Sequence, residues 1–448
     1  MAMGSAQSGH TGPDERVRLM AERAGIHAQR GEIAAAREIY TQLLALAPGN
    51  SEAISFIAIS ALQAGETRRS LELLQQGVAA NPGDAMLHKN LGLAYRATGD
   101  MLAAIAAFSE ATRLKPDFVA AHLNQGALLV ELGRDEEALS AYMRAFAAGE
   151  KTGQFLNLSS VPPGIRLLAE RGLALLRDAR LAAFHAALAP LEKQYGAAAL
   201  VRVWQCLHAY LGMRPDAQLG PLQRPTFMSF PGIPNRAWFD REEFPWMQDM
   251  QRHTDAIREE LLAVLAADVG FRPFIQVPSE HPGAAYWRQL NDSPSWNAFF
   301  FYRDGERNAE NHARCPVTSA ALDAAPLIRV AEHSPEVFYS VLKPGAHIPP
   351  HTGVINVRLV NHLPLIVPPD CGIRVGSETR GWEEGKCIVF DDTFEHEAWN
   401  KSSQTRVVLI FDTWNPYLSA AERDGMRIAI EVLGRFNRDH GGAATSLA

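Results

Sequence analysis

The chain has 448 residues, of which 47% are hydrophobic, so it is long enough for two or three domains with sizeable cores. Its net charge of −7 and isoelectric point near 6.1 give no electrostatic reason to expect binding to nucleic acid or to an anionic membrane surface. The four cysteines form no Cys-x-x-Cys pair, and the sequence shows neither a signal peptide nor a membrane span, which favours a cytoplasmic protein.

The N-terminal third of the chain repeats itself. After a polar segment at 1–14, which is predicted to be disordered, residues 15–150 repeat glycine, proline, small and large side chains every 34 positions. The four series are Gly31, Gly65, Gly99 and Gly133; Pro48, Pro82 and Pro116; Ala36, Ser70, Ala104 and Ala138; and Tyr40, Leu74, Phe108 and Tyr142. A 34-residue period of helix, turn and helix resembles the tetratricopeptide repeat, so we predict four helix pairs.

Such an array is an α-helical solenoid. Glycine fits the turn within a pair, small residues let the two helices approach closely, and proline separates one pair from the next. Most of these positions are therefore expected only to build the solenoid. Its concave surface is expected to bind a peptide, a protein partner or another copy of the chain.

The next region joins this array to a different domain. Residues 151–213 are helical and apolar but do not follow the repeat, which predicts a helical connector that caps the array. Its helices are predicted at Leu167–Leu176, Leu181–Leu191 and Ala197–Leu211. Loop-forming prolines then become frequent as far as Pro245, so the second domain is predicted to span 214–448.

The C-terminal domain contains short β-branched segments separated by turns. The segments are 336–343, 354–367, 385–390 and 405–413, and Pro-Gly, Glu-Gly and Asp-rich turns lie between them. This pattern is typical of a small antiparallel barrel. Together with the repeat array it predicts a multidomain chain of the α + β class.

Two histidines between these segments and one arginine within the last of them suggest a chemistry. His351 lies where a strand resumes after a proline-rich loop, and His396 lies just beyond a strand and a turn. Neutral imidazole suits ferrous iron, although two histidines so far apart in sequence are more often unrelated. Arg406 shares a strand face with Val408 and Ile410, and a guanidinium among apolar neighbours needs an anion such as a bound carboxylate.

Three segments around these residues resemble the aspartyl/asparaginyl β-hydroxylase family. They are 351–358, 382–386 (Trp-Glu-Glu-Gly-Lys) and 390–399 (Phe-Asp-Asp-Thr-Phe-Glu-His-Glu-Ala-Trp). Vertebrate relatives also carry tetratricopeptide-like repeats before the catalytic domain. The resemblance implies a double-stranded β-helix (a jelly-roll, cupin-like oxygenase domain) that uses Fe(II), 2-oxoglutarate and O2.

The resemblance also implies a role for each matching residue. His351 and His396 would bind Fe(II) and form the catalytic centre. Arg406, helped by the hydroxyl of Ser340, would bind the distal carboxylate of 2-oxoglutarate, and His362 would lie near the keto-acid end of this cosubstrate. The cosubstrate would be converted into succinate and CO2 while a substrate C–H bond is hydroxylated.

One departure concerns the metal ligands. Most 2-oxoglutarate oxygenases combine a His-x-Asp/Glu pair with a distal histidine, whereas Gly353 stands at the position of the acidic residue. The family tolerates this, so a two-histidine site is expected. Asp391 or Asp392 is the alternative third ligand, although acidic residues in such a turn more often cap it or face solvent.

A second departure concerns the anion-binding face. Val360 stands where relatives commonly carry an arginine near the cosubstrate or the substrate carboxylate. Strand alternation would place Arg358, Val360 and His362 on one face, where Arg358 would partly compensate as a cosubstrate-binding residue.

The leading interpretation is an Fe(II)/2-oxoglutarate-dependent dioxygenase. It would hydroxylate an aspartyl, asparaginyl or similar side chain of a peptide or protein that the repeat array helps to hold. The alternatives are the same chemistry on a free amino acid, a small metabolite or a lipid acyl chain, and a catalytically silent interaction protein. A cupin-type metal isomerase would have no use for Arg406.

Overall fold

The chain forms two compact units. The computed structural model describes residues 13–153, 161, 163–215, 219–278 and 284–442. The first unit extends to Asp178 and includes a short stretch from Arg438, and the second unit comprises Ala179–Asn437. The segment predicted to be disordered, 1–14, lies outside the described residues except for its last two, which begin the first helix.

The first unit contains the four predicted helix pairs. The helices are α1 (Pro13–Gln29), α2 (Ile33–Leu46), α3 (Ser51–Gln63), α4 (Thr67–Ala80), α5 (Ala85–Thr98), α6 (Met101–Leu114), α7 (Val119–Glu131) and α8 (Asp135–Lys151). Each pair turns at one of the predicted glycines, with a positive φ that glycine adopts without steric cost. These φ angles are 76° at Gly31, 80° at Gly65, 83° at Gly99 and 68° at Gly133.

Close helix contacts explain the alternation of small and large residues. A Cβ atom at Gly92 in α5 would lie 2.7 Å from the ring of Phe108 in α6, and one at Gly126 in α7 would lie 3.0 Å from the ring of Tyr142 in α8. Both aromatic side chains are almost fully buried. Each large residue therefore fills the space that a small residue on the paired helix leaves open.

The predicted connector divides between the two units. Its helical segments form α9 (Pro163–Tyr195) and α10 (Val201–Tyr210), so the first two predicted segments are one continuous helix. In the second half of α9, Phe184 packs in one apolar cluster with Ile430 of the second unit. This packing explains why the units divide after Asp178, upstream of the proline-rich loops.

The second unit is built on two antiparallel sheets. Its strands are β1 (Trp238–Phe239), β2 (Phe271–Pro273), β3 (Trp296–Arg303), β4 (Glu306–Arg307), β5 (Val337–Leu342), β6 (His347–His351), β7 (Arg358–Ile366), β8 (Cys371–Val375), β9 (Glu378–Arg380), β10 (Ile388–Phe390), β11 (His396–Asn400) and β12 (Arg406–Trp414). Its further helices are α11 (Met247–Arg252), α12 (Thr254–Ala267), α13 (Ala309–Arg314), α14 (Pro316–Ala324) and α15 (Ala420–Asp439). The larger sheet has the order β1-β10-β7-β12-β5-β3-β2, with β4 paired to β3, and the smaller sheet has the order β6-β11-β8-β9. The α + β class, with helical repeats before an antiparallel β domain, is confirmed.

The four predicted strand segments all lie in the larger sheet, as β5, β7, β10 and β12. The prediction for β7 began too early, because the backbone of Val354 accepts hydrogen bonds from 227–228 instead of entering the sheet. The strands of the smaller sheet were not predicted as segments. They are at most five residues long, so they carry little periodic signal.

The larger sheet packs on both faces. On one face, Leu363 and Leu409 belong to an apolar cluster with residues of α11, α12 and α14. On the other face, Val360 and Val408 pack in a cluster with Ile373 of the smaller sheet. This second cluster lies between the two sheets and surrounds the candidate site.

Two expectations from composition can be compared with the structure. The four cysteines are free thiols, as expected for a chain without a disulfide framework; they are Cys206, Cys315, Cys371 and Cys387. Within the described ranges, no helix combines the length and the apolar composition needed to cross a bilayer.

Candidate active site

The two histidines singled out from the sequence lie side by side. In the pairing of β6 with β11, His351 is the direct partner of His396. Their ring centroids are 4.0 Å apart, and both side chains keep part of their surface accessible. Residues 45 positions apart in the chain therefore present two imidazoles to one place at the edge of the smaller sheet.

The hydrogen bonds of both histidines leave the same nitrogen free. Nδ1 of His351 donates to the carbonyl of Pro349 at 2.8 Å, and Nδ1 of His396 donates to the carbonyl of Phe394 at 3.0 Å. The proton of each neutral ring is therefore on Nδ1, and Nε2 keeps its lone pair. Burial lowers the pKa of His351 to about 3 and that of His396 to about 4, so both rings are neutral near pH 7. This is the protonation state that a metal ligand needs.

A carboxylate occupies the space that the missing side chain of Gly353 leaves. A Cβ atom at Gly353 would lie 2.2 Å from Cγ of Asp392, and the Gly353 amide donates to the Asp392 carbonyl at 2.6 Å. Oδ2 of Asp392 accepts from Arg358 at 2.7 Å, whereas Oδ1 is buried and has no hydrogen-bond partner within the part of the chain that the structure describes. Glycine at this position therefore makes room for an acid that comes from the turn after β10.

The carboxylate of Asp391 stabilises the turn itself. It accepts hydrogen bonds from the Thr393 amide at 2.9 Å, the Thr393 hydroxyl at 2.6 Å and the Gln223 side chain at 3.0 Å. Burial raises its pKa to about 7. Among the described residues, no group of three or more His, Cys, Asp or Glu side chains has the arrangement of a metal site. The geometry thus offers two imidazole ligands, with one unpaired carboxylate oxygen on Asp392.

Arg406 is a buried guanidinium without an acidic partner in the described part of the chain. Nη1 donates to the carbonyl and to the hydroxyl of Ser340, both at 3.3 Å, and Nε has no hydrogen-bond partner. The guanidinium lies 5.0 Å from the ring centroid of Trp382. Burial lowers the pKa of Arg406 to about 10, so it remains a cation near pH 7. A buried cation in this state is suited to bind the carboxylate of a ligand.

His362 has the opposite tautomer from the two paired histidines. The indole N–H of Trp382 donates to Nδ1 of His362 at 3.1 Å, so the proton of the neutral ring is on Nε2. Burial, reinforced by the charge of Arg406, lowers the pKa of His362 well below its usual value. His362 can therefore donate a hydrogen bond from Nε2 to an acceptor in the site, but it cannot ligate a metal through that atom in this state.

Arg358 is already paired with two acids of the protein. Its guanidinium donates to Asp392 at 2.7 Å and to Asp412 at 3.0 Å. Burial by itself would lower the pKa of Arg358, but these two carboxylates raise it. Arg358, Val360 and His362 lie on one strand, β7. Because two aspartates already pair with the Arg358 guanidinium, its binding of the cosubstrate stays a prediction.

Sequence reasoning missed several contacts that hold the site. Trp296 donates from its indole to the Ser340 hydroxyl at 3.0 Å, and Asp412 anchors Arg358. Trp382 belongs to segment 382–386, which resembles the family. Nothing in that segment indicated that Trp382 would fix the tautomer of His362. The signal for Asp412 was an acid that follows the apolar run 407–411 in the last strand segment.

Comparisons with known proteins match both units. The family profile described as Aspartyl/Asparaginyl beta-hydroxylase matches residues 251–416, a range that contains all the residues of the candidate site. A tetratricopeptide repeat profile matches 57–117 and 102–151, in the helical array.

Three curated relatives illustrate the similarity. The chain is 27% identical over 363 residues to aspartyl/asparaginyl beta-hydroxylase of Homo sapiens, covering 80% of this chain and 42% of the relative. It is 32% identical over 224 residues to ornithine lipid ester-linked acyl 2-hydroxylase of Rhizobium tropici, covering 46% of this chain and 75% of the relative. It is 30% identical over 222 residues to aspartate beta-hydroxylase domain-containing protein 2 of Homo sapiens, covering 48% of this chain and 56% of the relative. The matched part spans less than half the length of the first relative.

Proposed function

Since the chain belongs to the aspartyl/asparaginyl β-hydroxylase family, we propose that it is a hydroxylase that depends on Fe(II), 2-oxoglutarate and O2. The observation that carries this proposal is the unpaired buried cation of Arg406. In a metal isomerase or a catalytically silent scaffold, the desolvation of this cation would destabilise the fold and serve no function. A dicarboxylate cosubstrate gives it a partner.

The residues present fit both groups. His351 and His396 would hold the iron through Nε2, because their Nδ1 atoms are already engaged with backbone carbonyls. A bound ferrous ion supplies the oxygen chemistry that couples oxidation of the cosubstrate to hydroxylation of the substrate. The unpaired Oδ1 of Asp392 would accept a hydrogen bond from water near the site.

The other site residues orient the cosubstrate. Arg406 and the Ser340 hydroxyl would bind its distal carboxylate, and Trp296 and Trp382 hold these two groups and exclude water. The Nε2–H of His362 would donate to the keto-acid end. Because His362 is neutral and its Nδ1 is occupied, it would fix orientation without moving a proton to the substrate.

For the substrate, we propose a side chain of a peptide or protein, an aspartyl or asparaginyl residue in the first instance. The helical repeats support this choice, because such arrays commonly bind peptides. An acyl chain is the second candidate: the Rhizobium tropici relative is named an acyl 2-hydroxylase, and the space between the sheets is lined with apolar side chains.

The proposal is tested by release of CO2 from 2-oxoglutarate labelled at C1, the carboxylate next to the ketone. Wild-type protein with Fe(II) and O2 should release CO2, and His396→Ala should reduce the release to the level without protein. Arg374→Gln is a matched control, because Arg374 pairs with Glu395 and Glu397 and not with a site residue. Equal release by wild type and His396→Ala would contradict the proposal and favour a silent interaction protein.

A further inference from the structure

Four of the buried ionisable side chains around the histidine pair balance one another in charge, and the fifth, Asp391, is an acid whose pKa burial raises to about 7, so it adds no cation. The four side chains are Arg358, Arg406, Asp392 and Asp412, which are 5%, 1%, 4% and 2% exposed. Arg358 is held between the two aspartates, and Arg406 has no acidic partner among the described residues. Two cations and two anions therefore give this cluster no net charge.

Binding of iron and the cosubstrate together would not change the net charge of the site. Fe(II) carries two positive charges, and 2-oxoglutarate carries two negative charges. One carboxylate of the cosubstrate uses the only unpaired cation of the cluster, Arg406. An anionic substrate group that displaced water beside the two partly exposed histidines would thus find no unpaired cation in this cluster, and desolvating a carboxylate without a partner is unfavourable.

The wall beside His362 is apolar. Val360 lies two residues before His362 on β7 and pairs with Phe390 of β10. The ring of Phe390 lies 5.1 Å from that of His362 and 5.5 Å from that of His396. Val360 also belongs to the buried cluster that contains Trp382. The surface between the two strands offers van der Waals contact and no charge.

Other arginines near the site are paired or exposed. Arg374 is paired with Glu397 at 2.6 Å, and Arg380 is paired with Glu378 at 2.7 Å. Arg288 is exposed, so a carboxylate that it binds would remain in water. Within the described ranges, these cations do not replace the missing buried partner.

We propose that the carbon hydroxylated at this site belongs to an uncharged group, such as a methylene next to an amide or ester carbonyl, and not to a carboxylate-bearing side chain. This inference rests on the proposed function and narrows it. Of the two peptide side chains considered, it selects the asparaginyl amide, and it also admits an amide- or ester-linked acyl chain.

The test is calorimetric binding to protein loaded with Mn(II), which occupies the metal site without turnover, and 2-oxoglutarate. The probes are two matched pairs that differ in charge at neutral pH: N-acetylasparagine amide against N-acetylaspartate amide, and hexanamide against hexanoate. The uncharged member of at least one pair should bind about tenfold more tightly or better, and neither carboxylate should bind more tightly than its partner.

Two variants separate charge from shape. Val360→Arg should improve the affinity for the carboxylate probes, whereas Val360→Leu should keep the preference of the wild type. Tighter binding of either carboxylate to the wild type would overturn the inference. So would the absence of binding by both uncharged probes to protein that does bind 2-oxoglutarate. A wild type that does not bind 2-oxoglutarate at all would instead overturn the proposed function.

Discussion

Arg406 carries a charge that no acidic side chain among the described residues neutralises. Its replacement by methionine should therefore leave the ligand-free protein as stable as the wild type or more stable, because a desolvated cation is removed. The same change should weaken 2-oxoglutarate binding by about 2–5 kcal/mol, because the bound carboxylate loses its partner. Thermal unfolding of Mn(II)-loaded protein with and without 2-oxoglutarate measures both effects.

The matched control for this experiment is Arg374→Met, which removes an arginine whose partners are Glu395 and Glu397. It should retain the stabilisation by 2-oxoglutarate. If Arg406→Met lowered the stability of the ligand-free protein and kept the shift with 2-oxoglutarate, Arg406 would be a structural residue and not an anion-binding one.

Gly353 is a second important residue, because the absence of a side chain there leaves space for the Asp392 carboxylate. An alanine Cβ there would overlap the Asp392 carboxylate, so Gly353→Ala should displace that side chain and lower the free energy of unfolding by about 1–3 kcal/mol. Gly381→Ala is the comparison, because its Cβ would meet nothing within 4 Å. Urea unfolding of both variants measures the difference. Equal stabilities would mean that the turn after β10 yields easily and does not hold Asp392 in place.

At the scale of elements, the network of Arg358, Asp392 and Asp412 ties β7 to β12 and to the turn after β10. Arg358→Met should destabilise the protein by about 3–5 kcal/mol, because it leaves two buried carboxylates without their cation. Adding Asp412→Asn to that variant should recover part of the loss. The free energies of unfolding of the wild type, the two single variants and the double variant form a double-mutant cycle. Simple additivity in this cycle would contradict a shared network.

The strands explain what could be predicted about this network from the sequence. The β-branched segments predicted β5, β7, β10 and β12, and the resemblance identified His351 and His396 as a pair. The sequence did not reveal that Arg358 is neutralised by Asp412, because that contact depends on the pairing of β7 with β12. Periodicity determines which face a side chain takes, but not which residue it meets across the sheet.

For the whole molecule, one buried acid connects stability with pH. Burial raises the pKa of Glu336 to about 8, above the ordinary value of 4.5 that applies in the unfolded chain. The folded state therefore holds a proton that the unfolded state has lost, and stability should fall as pH rises from about 4.5 through about 8. The slope from this group is at most about 1.4 kcal/mol per pH unit.

Glu336→Gln removes the titrating carboxyl group and should make the free energy of unfolding less dependent on pH. Chemical unfolding of both proteins from about pH 6 to about pH 8.5 measures it, and the stability of the variant relative to the wild type should increase with pH. The other titrating groups are common to both proteins and cancel in the comparison. Parallel stability curves would show that Glu336 ionises normally in the folded state.

The domain order was predictable, whereas the division between units was not. The 34-residue period indicated the helical array, and the short β-branched segments of the C-terminal part indicated the β domain. Both signals are local in the sequence. The break after Asp178 lies within α9 and has no composition signal. It follows from the burial of Phe184 against residues more than two hundred positions away, such as Ile430.

Binding of 2-oxoglutarate to iron at the histidine pair can be measured by anaerobic titration of the Fe(II)-loaded protein with 2-oxoglutarate, followed by visible absorption. Wild type and His396→Ala are measured side by side. We expect a weak metal-to-ligand charge-transfer band that saturates in the wild type and is absent in the variant. A wild-type protein that binds iron but develops no band with 2-oxoglutarate would contradict this expectation.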